Sequence, residues 1–316
     1  MIGHDASRPH EARLDRSIII PFIIFTLVWG STWLVIRGQI DTVAPQWSVA
    51  YRFAIAAVAM AVVAHWKGQS LRPTRAMLGI AAVVGVSQFC FNFNGVYLAE
   101  LYITSGIVAT VFALLFIPNS LLAWALLGQR PSGRFAIGGM MAAAGICLLF
   151  AHELHSSKAS ANEVLAGLGL TLFGLLAASW ANVYQALERY RRLPLLAMLA
   201  WAMALGAVAD GLFAIAVAGA PTIDWSPSYW LGLVYLALAA TVLAFSLYLP
   251  VVRKIGPGRA AYSSVLVPVI AMGLSTIFED YRWSPLAAAG GLLALGGMLV
   301  ALSGNRGSKI AAPDAG

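Results

Sequence analysis

Over 316 residues, 60% of the side chains are hydrophobic, 10% are charged, mean hydropathy is +0.81 and the net charge is +7. A soluble chain carries about 25% charged residues, so a water-soluble globular domain is excluded. A bilayer absorbs such a sequence, at about 20 mostly apolar residues per crossing.

In chain order, residues 1–17 form a polar tail of mixed charge, "MIGHDASRPHEARLDR" with Ser17, and no small-residue cleavage site follows the next apolar run, as a signal peptide would need. Ten apolar segments follow, at about 18–36, 46–64, 76–98, 104–127, 135–151, 164–186, 195–219, 228–250, 260–278 and 285–303. Their runs are continuous rather than alternating, which predicts helices and not a membrane barrel. A polar linker, "HELHSSKASANE" (152–163), divides them, and residues 304–316 form a second polar tail. The expected fold is therefore all-α and integral to the membrane, with five-helix repeats at 18–151 and 164–303.

The repeat is visible in the letters. Pro118 stands eleven residues before Gln129, and Pro268 eleven before Glu279. Gly138, Gly139 and Gly145 have counterparts in Gly290, Gly291 and Gly297 after a two-residue insertion. An odd number of crossings per half makes the copies antiparallel, an inversion typical of secondary transporters. A proline inside a helix removes a hydrogen bond and bends the segment; Pro118 and Pro268 are thus candidate hinges. The glycines place small residues three and four apart, as in close helix packing in lipid. That face would join spans five and ten to each other or, across a homodimer, to a second copy.

Basic residues predict the orientation. Sixteen of the twenty Lys and Arg fall on one side if both termini share it, among them Arg8, Arg13, Lys67, Arg72, Arg130, Arg189 and Arg253. Lys and Arg stay cytoplasmic during insertion, so both termini are expected inside the cell. The basic clusters are short and scattered among loops, which speaks against nucleic-acid binding. The expected partners are the lipid bilayer and a small-molecule substrate.

"VWGSTW" in the first span, "YRFAIAA" opening the second, and the two proline-to-Gln129 and proline-to-Glu279 spacings followed by glycines resemble the EamA type of the drug/metabolite transporter superfamily. The resemblance runs from about 18 to 303, and its nearest functional parallel is the YddG-type amino-acid exporters. Gln129 departs from the acid usual in the first half. The resemblance implies inverted repeats around a central cavity bordered by spans one, three, four, six, eight and nine. It also places an arginine such as Arg52 near the start of the second span, in a structural role.

Enzyme signatures are lacking, including the glycine-lysine loop of ATP-driven pumps, and no cofactor is expected. All four lysines lie outside the spans, excluding a retinal-type Schiff base. Cys90 and Cys147 have no metal spacing, and His152, His155 and Glu153 read as a solvated linker. Asp210 in span seven is a candidate coupling residue; otherwise it pairs with Arg52 or each side chain reaches for the interface. Trp47, Trp66, Trp225 and Trp230 read as interfacial belt residues.

The polar and aromatic groups on the implied cavity helices are the candidate substrate site. Gln88 and Asn92 are four apart on one helix face. Ser31 and Trp33 lie in span one, Asn119 beside Pro118, Ser179, Trp180 and Tyr184 in span six, Tyr248 in span eight and Ser264 near Pro268. Hydrogen-bonding groups and aromatic faces with little fixed charge suit zwitterions. The expectation is an inner-membrane exporter of neutral amino acids, aromatic ones included, or similar metabolites. The alternative is an exporter of another class, such as cationic drugs or nucleotide-linked metabolites.

Overall fold

The computed structural model describes residues 16–156, 160–187, 193–255, 260 and 263–303. Residues 1–15, the second tail and much of the basic inventory, including Arg189, Arg191, Arg192, Arg259, Arg306 and Lys309, lie outside the described residues, as does Lys158, while Arg16 and Ser17 of the expected first tail already belong to the first helix. Among the described residues ten apolar helical segments follow one another. They are α1 (Arg16–Arg37), α2 (Pro45–Trp66), α3 (Arg75–Ala99), α4 (Ser105–Leu127), α5 (Gly133–Ser156), α6 (Ala161–Gln185) and α7 (Leu195–Ala218). Then come α8, in three pieces (Pro227–Val234, Tyr235–Leu243 and Ala244–Ile255), α9 (Ser263–Phe278) and α10 (Pro285–Ser303). All but α9 are long and apolar enough to cross a bilayer within the described residues; the described part of α9 has 16 residues.

The helix ends have local causes. Prolines at the first helical position open α2 and α8. Thr74 caps α3 by accepting from the Met77 amide, and Ser160 with Glu163 forms a capping box on α6. Gly128, at φ 71°, ends α4 in the left-handed conformation that glycine tolerates. The helices reach into the expected linker: α5 runs to Ser156 and α6 starts at Ala161.

Packing repeats with a two-fold pattern. α1 lies on α8 and α9, as α6 lies on α3 and α4. α3 packs on α7 as α8 packs on α2, and α2 pairs with α7, α5 with α10. The glycines locate the pseudo-axis. Gly138 faces Gly297, and its counterpart Gly290 faces Gly145, the counterpart of Gly297. Two equivalent contacts related crosswise are what an antiparallel pair of equivalent helices produces. A β-carbon on Gly290 would stand 2.7 Å from the Gly145 carbonyl oxygen. These glycines are therefore engaged within the chain, and a homodimer through α5 and α10 would use other faces of those helices.

Two irregularities also repeat. Gly85–Asn92 in α3 and Tyr235–Leu243 in α8 are π-helical, a wider winding that recurs at functional sites. The prolines act unequally. α4 passes through a 3-10 turn at Ala113–Leu115, where Pro118 cannot donate to the Leu114 carbonyl, whereas α9 carries Pro268 without such a break.

Two sequence readings are corrected by burial. Trp47 is no belt residue: it is buried beside Tyr229 and stacked on Tyr51, whereas Trp66 and Trp225 are exposed. His152 is no solvated linker residue: its Nε2 meets the Arg282 carbonyl at 3.1 Å and its Nδ1 the Ser284 hydroxyl at 3.0 Å, tying α5 to the turn before α10. The side chains of Glu153 and His155 lie outside the described residues.

Candidate functional site: a central cavity

Helices from both halves surround a cavity of about 430 Å³, in the range of small-molecule sites. Its walls are rich in aromatic rings. On α1, Trp29 sits 5.8 Å from Phe245 and 5.2 Å from Tyr248, ring centre to ring centre. The Trp29 indole donates to the Ala240 carbonyl at 3.1 Å, within the π-helical piece of α8. Trp33 packs 5.6 Å from Phe112 of α4.

Polar groups enter this wall with acceptors and donors left over. Asn92 is 2% exposed and donates through Nδ2 to the Gln88 carbonyl at 3.2 Å, one turn back on α3. Its Oδ1 has no protein partner, and neither have Gln88 Oε1, Asn119 Oδ1 or the Trp33 indole nitrogen, all buried and all from lining residues. An unmet buried polar group costs about 1–3 kcal/mol, and these four belong to residues that line one cavity, as a site for a polar ligand would need.

Arg52 is also in the wall, 2% exposed. Its guanidinium carbon lies 4.5 Å from the Phe93 ring centre and 5.3 Å from that of Phe53. It donates to the Tyr97 hydroxyl and to Thr241 Oγ1, each at 3.3 Å. The expected Arg52–Asp210 pairing is not found. Asp210 is fully buried between α7 and α3, where Asn94 Nδ2 donates to its Oδ1 at 2.7 Å, so it does not reach for the interface either.

Of the residues singled out in the sequence, Trp33, Gln88, Asn92, Asn119, Tyr248, Ser264 and Pro268 line the cavity. Ser31, Pro118, Ser179, Trp180, Tyr184 and Asp210 do not. Ser31 bonds the Tyr235 hydroxyl at 2.7 Å. Ser179 is fully buried, and Trp180, 42% exposed, stacks on Tyr184 at 6.2 Å. Arg52 and Thr241, which do line the cavity, were not among the candidates. The one signal for Arg52 was its charge inside a span.

The cavity is bounded at the end of the bundle that carries the linker. There Glu279, just after α9, accepts from the Ser105 amide at 3.2 Å and the Ser105 hydroxyl at 2.6 Å, and also from Ser275 Oγ. Ser275 Oγ accepts from the Gly106 amide at 2.8 Å. Only a glycine admits this approach, since a β-carbon at 106 would stand 2.7 Å from Ser275 Oγ. Arg37 Nη1 donates to the Glu100 carbonyl beside it. Burial, then the neighbouring Glu279, pushes the Glu100 carboxyl well above the usual range, with Arg37 and Arg52 opposing. Beyond this tie lies a vestibule of about 500 Å³ lined by Arg37, Asp41, Glu279 and Asp280. At the opposite end no comparable bond joins α4 to α9 among the described residues. Ser105–Phe112 is buried almost throughout, whereas no residue of Phe116–Leu127 is buried, and the lining reaches Asn119, Asn182 and Ser263.

The EamA-like transporter family model matches residues 16–151 and again 167–303, one copy to each half. The chain belongs to this family. It is a multi-pass membrane transporter, not an enzyme. Similarity extends over most of the chain to the probable amino-acid metabolite efflux pump of Escherichia coli K12, at 23% identity over 91% of this chain and 95% of that one. It also extends to the uncharacterized inner membrane transporter YedA of the same organism, at 27% identity over 79% of each chain. A solved structure shares the fold, with a TM-score of 0.65 and 22% identity over 92% of this transporter and 99% of its own chain.

Proposed function

We propose that this transporter exports neutral amino acids, aromatic ones included, or similar small metabolites across the inner membrane by alternating access. The carrying observation is the cavity wall, with aromatic rings, amide groups with spare acceptors and, among the described residues, one buried cation and no carboxylate in the lining. Rings accommodate varied apolar side chains, and amides supply both donors and acceptors to a ligand's polar end. Such a wall repels a cationic drug, because Arg52 would face it without a compensating acid. The name of the Escherichia coli efflux pump supports amino-acid cargo, and that of YedA supports the inner membrane. The basic loops support termini on the cytoplasmic side.

In this reading Gln88, Asn92, Asn119 and Trp33 contact the substrate, while Pro118 and Pro268 let α4 and α9 bend. The pair is joined at the linker end and parted at the other. The conformer described here is the one open to the cytoplasm. The test is uptake by proteoliposomes across a panel of amino acids and cationic drugs, with and without a pH gradient. Saturable exchange of neutral amino acids is expected; transport of the drugs alone would overturn the reading.

A further inference from the structure

We propose that Arg52 is the anchor for a carboxylate on the transported molecule, which deepens the amino-acid reading and rests on it. A buried cation in a membrane protein is costly and normally pairs or faces water. Arg52 is 2% exposed, yet among the described residues no ion pair neutralises it. Its bonds to the Tyr97 and Thr241 hydroxyls, at 3.3 Å each, are long for an arginine and go to neutral oxygens. Its Nε has no protein partner. The side chain is nevertheless held firmly. Phe93 and Phe53 stack against it, Thr241 is fixed by its own bond to the Leu236 carbonyl at 2.9 Å, and Tyr97 is fully buried.

The acids that could answer this charge are occupied elsewhere. Asp210 is bonded to Asn94, and Glu279 is engaged by Ser105 and Ser275. Glu100 influences Arg52 only through space, its carboxyl oxygens lacking any hydrogen-bond partner. A planar fork of donors, pre-oriented by rings and set in the cavity wall, suits a carboxylate, which can accept two parallel N–H bonds. Thr241 comes from the π-helical piece of α8 and Asn92 from that of α3. The two irregular turns thereby frame the same spot from opposite halves of the chain. The ligand class that follows is a small molecule with a carboxylate at one end and an apolar group, reaching the ring-lined part, at the other.

Three probes separate the contributions: L-phenylalanine, L-phenylalaninamide, which lacks the carboxylate, and 3-phenylpropanoate, which lacks the ammonium. Thermal stabilisation of the purified transporter by each gives relative affinities for the native protein, Arg52→Gln and Arg52→Lys. The native protein is expected to favour both carboxylates over the amide by at least tenfold. In Arg52→Gln that ratio should fall to near one, and in Arg52→Lys, which keeps the charge but not the fork, to an intermediate value. If Arg52→Gln fails to fold, Arg52→Lys decides alone: an undiminished ratio overturns the anchor. A native protein that favours carboxylates, with a ratio unchanged in the variants, overturns Arg52 but leaves the amino-acid reading standing. A native protein that binds the amide as well as the acids overturns the anchor, and one that binds none of the three overturns the amino-acid reading and the anchor together.

Discussion

The central cavity and the vestibule lie on the two sides of one tie between α4 and α9, yet their chemistry is opposite. Among the described residues the cavity has ring-rich walls and a single cation, Arg52, with no acid. The vestibule has Asp41, Glu279 and Asp280 around Arg37 and few rings. Cargo crossing from one to the other leaves a site that holds a carboxylate and enters one that repels it. The tie itself is built from a carboxylate, two serines and the start of α4, groups that can trade their bonds for water when they separate. A transporter needs a strong but reversible contact at this point, and hydrogen bonds to Glu279 provide it where fused apolar packing, as between α5 and α10, would not.

The largest effect is expected from cutting the tie. A hydrogen bond to a charged group contributes about 1.5–3 kcal/mol, so losing even one moves the conformational equilibrium roughly ten- to a hundredfold. Glu279→Ala removes the acceptor of three. A cysteine at Ala109, a buried lining residue near the tie, should then react much faster with an impermeant thiol reagent from the linker side; an unchanged rate would show that Glu279 seals nothing.

Next in size is the cavity's own polar wall. Asn92→Ala should weaken binding of several amino acids alike, by roughly ten- to a hundredfold, measured by competition in proteoliposomes. Well-folded protein with unaltered affinity would remove α3 from the site.

A smaller, pH-dependent effect belongs to Glu100. Its carboxyl is shifted upward, chiefly by burial and then by Glu279. A raised acid is neutral in the closed arrangement at low pH, and its stabilising contribution is lost as pH rises through the raised value. The tie should therefore loosen with rising pH, read as faster labelling of the Ala109 cysteine from the linker side. Glu100→Gln should flatten that profile; an identical slope in the variant would place the titration elsewhere.

The smallest effect is expected at Asp210, outside both cavities. Asp210→Asn keeps an acceptor for Asn94, and substrate exchange should continue at near-native rates. Loss of pH-dependent transport with exchange intact would instead make Asp210 the coupling residue.

The architecture was legible because its signals are long: continuous apolar runs, two proline-to-polar spacings and the glycines that meet crosswise. Gln88 and Asn92 were legible as a shared helix face. What could not be read was the rotation of each helix about its axis. In a membrane every face of a span is apolar, so no amphipathic stripe marks the inward side. One residue turns the helix by about 100°, which is why Ser179 is fully buried while Trp180 next to it points outward. That rotation is set by contacts such as Gly174 against the Asn92 carbonyl, 2.8 Å from where a β-carbon would stand. The same blindness hid Arg52. Its charge was evident, but its place among Phe93, Tyr97 and Thr241 depends on three helices and on π-helical turns with no recognised sequence mark.

The most direct test of alternating access from this conformer is side-specific labelling of Asn119→Cys in a background lacking Cys90 and Cys147. Asn119 lines the cavity on the part of α4 that buries none of its residues. An impermeant maleimide should reach it from the face that also labels Lys67→Cys, an exposed position beyond α2, and saturating substrate should slow that reaction. Labelling only from the opposite face, or equally from both, would contradict a cavity open at the end that carries the termini and sealed at the other.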